Sequence, residues 1–185
     1  IEFAARHPTR ARALMLEVAI SIKRIYPWYA TMLLNSFFSW LIRGLSKKMP
    51  KLMIAELVKG ESTLDKIDQE RVTKAILDDP NKFRSFLDLI LSQPPSATLR
   101  DGMKNDFEGF RELEKSPFGM VRCPTFVAHG THDADVPFIH AETSAQEIQG
   151  AELFTVDKGF HMLALGDHAE ELRSAQIDFF RRHLE

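Results

Sequence analysis

The sequence predicts an α/β fold, and three observations carry that prediction. First, three short apolar runs, ALMLEVAI at 13–20, PTFVAHG at 124–130 and AELFTV at 151–156, lack the strict alternation of half-solvated antiparallel strands and read as buried parallel strands. Second, PFIHAETSAQEIQG lies between the last two. There Pro137 suits a first helical position, Ala141, Ala145 and Ile148 share a face, and Gly150 suits the C-terminal cap, so the three segments form a βαβ unit. Third, HAEELRSAQIDFFRRHLE places Leu172, Ala175, Phe179 and Phe180 on one face, which gives a final helix that packs back onto the sheet.

At the other end, IEFAARHPTR reads as the tail of a helix, ended by Pro8. Residues 21–117 differ in kind. They carry helical periodicity, no convincing strand, and breaks at Pro50, Gly60, Pro80 and Pro94–Pro95, which predicts a helical insert between two strands. Within it, residues 25–42 carry no charge before Arg43 and are long enough to suggest a membrane span. Leu33, Leu34, Phe37, Phe38, Leu41, Ile42 and Leu45 nevertheless fall on one stripe, with Asn35, Ser36, Ser39 and Arg43 opposite. A span would be apolar all round.

Composition narrows the function. The 185 residues are 44% hydrophobic and 27% charged, the profile of an ordinary folded domain with a sizeable core. A net charge of −2 without runs of like charge excludes the basic footprint of a nucleic-acid binder and favours small-molecule chemistry. The single cysteine, Cys123, excludes an internal disulfide and any cysteine-cluster metal site. No signal-peptide pattern is present, so a cytoplasmic location is the expectation.

The chemistry concentrates after the second and third strands. Asp133 follows the second in GTHDADVP, and His161 follows the third in DKGFHMLALG. Catalytic groups of α/β sheets gather outside the carboxyl ends of the strands, so neighbouring parallel strands deliver this carboxylate and imidazole to one edge. The pairing is useful because a carboxylate holds an imidazole in one tautomer and stabilises the imidazolium formed when the ring takes a proton.

Strand, GTHDADVP, helix, strand, DKGFH resembles the closing third of the α/β-hydrolase fold, in which the acid and then the histidine follow the last two strands. IEFAARHPTRARALMLEVAI is similar to the end of the helix behind the nucleophile elbow and the strand after it. The resemblance implies the C-terminal part of an α/β-hydrolase parallel sheet, residues 1–20 and 118–185, with an inserted all-helical cap, residues 21–117. It implies Asp133 as triad acid and His161 as general base, and no cofactor. The elbow is absent. The resemblance places the nucleophile upstream of Ile1, so a further N-terminal segment is expected as the partner of these 185 residues.

Other candidates remain beside this pair. Glu17 is the reserve acid, since some members resembling haloalkane dehalogenases place the acid after the strand that reads LMLEVAI here; Asp135 reads as the cap of the helix from Pro137. His129, His132, His140 and His168 lack metalloprotease spacing and give no metal site with Asp133 and Asp135. Ser21, Ser36, Ser39 and Ser116 lie outside any Gly-x-Ser-x-Gly turn and read as ordinary polar positions. Val136, Phe160 and Met162 flank the pair and, with the stripe from Leu33 to Leu45, suggest an apolar substrate cleft between core and cap. The expected activity is hydrolysis of a small, largely apolar ester or acyl compound through a Ser-His-Asp triad. Dehalogenase, epoxide or C–C bond hydrolysis, or non-catalytic binding of a small ligand, remain as alternatives on the same fold.

Overall fold

In the computed structural model, residues 1–26, 36–92 and 96–184 are described. The start of the apolar stripe at Leu33 and Leu34 and the break at Pro94–Pro95 lie outside them, as do the side chains of Phe37 and Phe38. The chain divides into two compact units: Ile1–Ile22, Glu61–Leu64 and Lys115–Glu185, and a second of Lys23–Gly60 and Asp65–Glu114.

The first unit is built on a parallel sheet of β1 (Leu14–Glu17), β2 (Thr125–Gly130) and β3 (Glu152–Val156), in that order. All six residues of β2 are buried, which explains its largely apolar reading. β1 and β3 are only partly covered; in β3 exposed and half-buried residues alternate up to buried Val156. Because side chains alternate across a strand, β2 feeds two cores. Val127 packs with Ala4 and Ala5 of α1 (Glu2–Arg6) and with Ala141 of α7 (Ile139–Glu147). Phe126 and Ala128 pack on the other face with Leu172 and Phe179 of α8 (Ala169–Leu184), the final helix the periodicity predicts.

The start of α7 corrects one expectation. The helix begins at Ile139 with Phe138 as its N-cap residue and no side-chain cap bond, so Asp135 does not cap it. The reason is local: one Asp133 oxygen accepts the amides of Asp135 and Val136, and that turn occupies the residues that a helix from Pro137 would need. Gly150 follows the helix end at positive φ, +76°, two residues beyond the C-cap Ile148.

The second unit is all helical: α2 (Ser36–Lys48), α3 (Pro50–Gly60), α4 (Lys66–Asp78), α5 (Pro80–Ser92) and α6 (Ser96–Glu112). Pro50 and Pro80 open helices, where a missing N–H costs nothing. The carboxylate of Asp65 accepts the Asp68 amide at 2.9 Å and caps α4. Ile54 and Val58 of α3, and Val72 and Ile76 of α4, are buried one turn apart, and these helices pack on each other. Among the described residues no helix is long and apolar enough to cross a membrane.

Candidate active site

Two glycines let the loops after β2 and β3 touch. A Cβ on Gly130 would stand 2.3 Å from the Gly159 carbonyl oxygen, and one on Gly159 would stand 2.7 Å from the Val156 side chain, so at both positions only hydrogen fits. Around this contact, the Thr131 amide donates to Val156 O at 3.0 Å and the His132 amide to Gly159 O at 2.8 Å. The Lys158 amide donates to Thr131 Oγ1 at 2.9 Å, with Lys158 itself at φ 52°. Gly130→Ala should separate the two loops and cost about 1–3 kcal/mol, the range for forcing an extra carbon into a filled site. Urea unfolding against the parent protein measures it.

On this frame Asp133 and His161 meet. The buried Asp133 carboxylate accepts the Asp135 amide at 2.9 Å and the Val136 amide at 2.8 Å on Oδ1, and its Oδ2 lies 2.9 Å from His161 Nδ1. His129, 1% exposed, stands behind the carboxylate: its Nε2 is 3.3 Å from Asp133 Oδ2 and donates to Val136 O at 2.8 Å. Burial raises the Asp133 carboxyl, but hydrogen bonds from His129, His161 and the Val136 amide outweigh it and hold the group down at about 2. Burial lowers the basicity of His161, and here too the partners prevail. The bond to Asp133, with the charges of Asp133, Asp135 and Glu61, raises the imidazole above its ordinary value. With Nδ1–H committed to Asp133, the neutral ring carries its lone pair on Nε2, and the His161 side chain keeps 18% of its surface exposed.

Two further carboxylates stand nearby. Asp135 Oδ2 is 3.8 Å from His161 Nε2. Glu61 enters from a segment that sequence reasoning passes over as a break between helices, and burial raises its carboxyl, opposed by the His161 charge and reinforced by Asp135 and Asp133. Glu61, Asp135 and His161 place one possible metal-ligand atom each within 4.8 Å of one another, a different set from the histidines weighed in the sequence.

The remaining candidates are placed as follows. Glu17, exposed at the end of β1, accepts from Gln176 Nε2 of α8 at 2.7 Å, so it is engaged on that helix and not at His161. Val136 and Phe160 are each 1% exposed, within packed interior, whereas Met162 beside His161 is half-buried. His140 Nδ1 accepts the Ser21 amide at 3.1 Å, while the Ser21 hydroxyl donates to His140 O at 2.8 Å; both side chains are buried and structural. Ser116, also buried, donates its amide to Ser21 O at 3.0 Å. The side chains of Ser36 and Ser39 lie outside the described residues. His132 bonds Thr131 and His168 bonds Glu171, each on its own surface segment.

No family model matches the chain. A mouse (Mus musculus) serine hydrolase, BPHL, is 30% identical over 82 residues, which covers 40% of this chain and 28% of that protein. Among solved structures, an α/β-hydrolase fold protein from Nakamurella multipartita superposes with a TM-score of 0.86 at 26% identity, covering 97% of this chain and 64% of its own. A thermophilic esterase from Thermogutta terrifontis gives 0.58 at 18% identity, covering 98% and 60%. This chain thus spans less than two thirds of the length of each of these proteins. A parallel sheet flanked by helices, with an acid and a histidine after its last two strands and a likeness to these solved structures over nearly its whole length, is an α/β-hydrolase fold, and this chain has it.

Proposed function

We propose that this chain supplies the acid and the base of a serine hydrolase that cleaves small, largely apolar esters or related acyl compounds, with the nucleophile contributed by sequence outside it. The observation that carries the proposal is the 2.9 Å contact between Asp133 Oδ2 and His161 Nδ1, with the other Asp133 oxygen filled by two amides. In the reaction, His161 Nε2 takes the serine proton as the hydroxyl oxygen attacks the acyl carbon. The resulting imidazolium, stabilised by Asp133, returns the proton to the departing alkoxide. Water then repeats the sequence on the acyl-enzyme and releases the acid. Esterase-like neighbours support an acyl substrate, and half-buried Met162 beside His161 supports an apolar one.

The full-length protein containing this chain should hydrolyse 4-nitrophenyl esters and be labelled on serine by a fluorophosphonate. Hydrolysis without labelling would replace serine by another nucleophile, such as the aspartate of a dehalogenase. If the acyl site is apolar, kcat/KM should rise from acetate to hexanoate by up to about fourfold per added CH₂, because each is worth about 0.8 kcal/mol when buried. A flat or falling series would reject the apolar site.

A further inference from the structure

Glu61 reaches the site from the middle of the helical sequence. α3 ends at Gly60 and α4 begins after its cap Asp65, and the four residues between, Glu61–Leu64, belong to the α/β unit. They lie antiparallel to the acid loop, where Ser62 bridges Asp133 and the Thr63 amide donates to His132 O at 2.9 Å. The Glu61 carbonyl accepts two amides, that of His161 at 3.2 Å and that of Ala134 at 3.3 Å. One carbonyl oxygen therefore joins the loop that carries the acid to the loop that carries the histidine. The same residue holds its half-buried carboxylate within 4.8 Å of both His161 and Asp135.

We propose that Glu61 is a positioning residue for His161: its main chain ties the acid loop to the histidine loop, and its carboxylate stabilises the imidazolium that Asp133 orients. This rests on the reading of His161 as general base. Among the described residues, the charged and titratable groups around the ring are Asp133, Asp135 and Glu61, with His129 acting through Asp133. A negative neighbour favours the protonated ring, so removing it makes His161 a weaker base. Because the reaction needs the neutral ring, the acid limb of the kcat/KM profile then moves to lower pH, while the plateau falls because a weaker base pulls less on the serine proton.

The test uses the full-length protein, with Glu61→Gln and, as a second uncharged side chain of similar reach, Glu61→Met. Both keep the main-chain carbonyl and remove the charge, Gln with a polar side chain of the same shape and Met with an apolar one. NMR titration of the His161 ring and the pH profile of ester hydrolysis are both read. In both variants the His161 titration and the acid limb should move to lower pH, with the plateau reduced roughly three- to tenfold, as for loss of one partly screened charge beside the base. A His161 titration unchanged in either folded variant overturns the proposal, even if activity or stability falls, since a purely structural role would do only that. Absence of hydrolysis in the parent protein would instead count against the proposed function, and the ring titration would still decide the role of Glu61.

Discussion

His161→Ala is expected to lower kcat of ester hydrolysis by on the order of 10⁴- to 10⁶-fold, the loss seen when the base of a nucleophile–base pair is removed. The size follows from the number of proton transfers that depend on one atom. In the proposed mechanism His161 Nε2 takes the nucleophile's proton, gives it to the leaving group, and does the same for water, so no step would proceed normally without it. KM should change little by comparison, because the ring binds the moving proton and not the acyl chain. The fold should survive: His161 is only half-buried, and its main-chain amide bond to Glu61 O at 3.2 Å needs no side chain. Steady-state kinetics with circular dichroism as a folding control measure both parts. Activity within tenfold of the parent would remove His161 from the mechanism.

Asp133→Asn is expected to cost about 10⁴-fold in kcat through the tautomer. The Asn oxygen can still accept the Asp135 and Val136 amides, which leaves its NH₂ facing His161 Nδ1. Two donors then oppose each other, and the ring relieves the conflict by moving its proton to Nε2, where it can no longer accept one from the proposed nucleophile. Stability should change as well. The Asp133 carboxyl falls from 3.8 to about 2 on folding, a difference worth about 2 kcal/mol that is present above pH 4 and lost as pH falls towards 2. His161 shifts upward, so its share is fully present below its ordinary value of 6.5 and is lost as pH rises through its folded value. The two windows overlap between about pH 4 and 6.5, where Asp133→Asn should be most costly to stability. Urea unfolding of parent and variant at pH 2.5 and 5.5 checks this: the gap should be wider at 5.5, and an equal gap would contradict the linkage.

The sequence reveals the parts of this site set by short-range chemistry. β2, Asp133, β3 and His161 are legible because each strand is a run of adjacent apolar residues and each functional group follows within a few positions. Glu61 is not legible. Its partners, Ala134 and His161, are far along the chain, and the four residues GESTLD contributes to the α/β unit, Glu61–Leu64, have no periodicity of their own. His129 is hidden for another reason: within an apolar strand it reads as a polar exception, and only the fold of the Asp133 turn brings Val136 O and the carboxylate to its Nε2. Asp135 reads as a helix cap because composition favours it, yet the Asp133 turn claims that stretch of backbone first.

The most direct test of Asp133 as the group that orients His161 is ¹⁵N NMR of the imidazole rings through a pH titration. If Asp133 orients His161, the neutral ring carries its proton on Nδ1, Nε2 shows the shift of an unprotonated nitrogen, and the ring titrates above the ordinary histidine value. A neutral ring protonated on Nε2, or one that titrates below that value, would contradict that role.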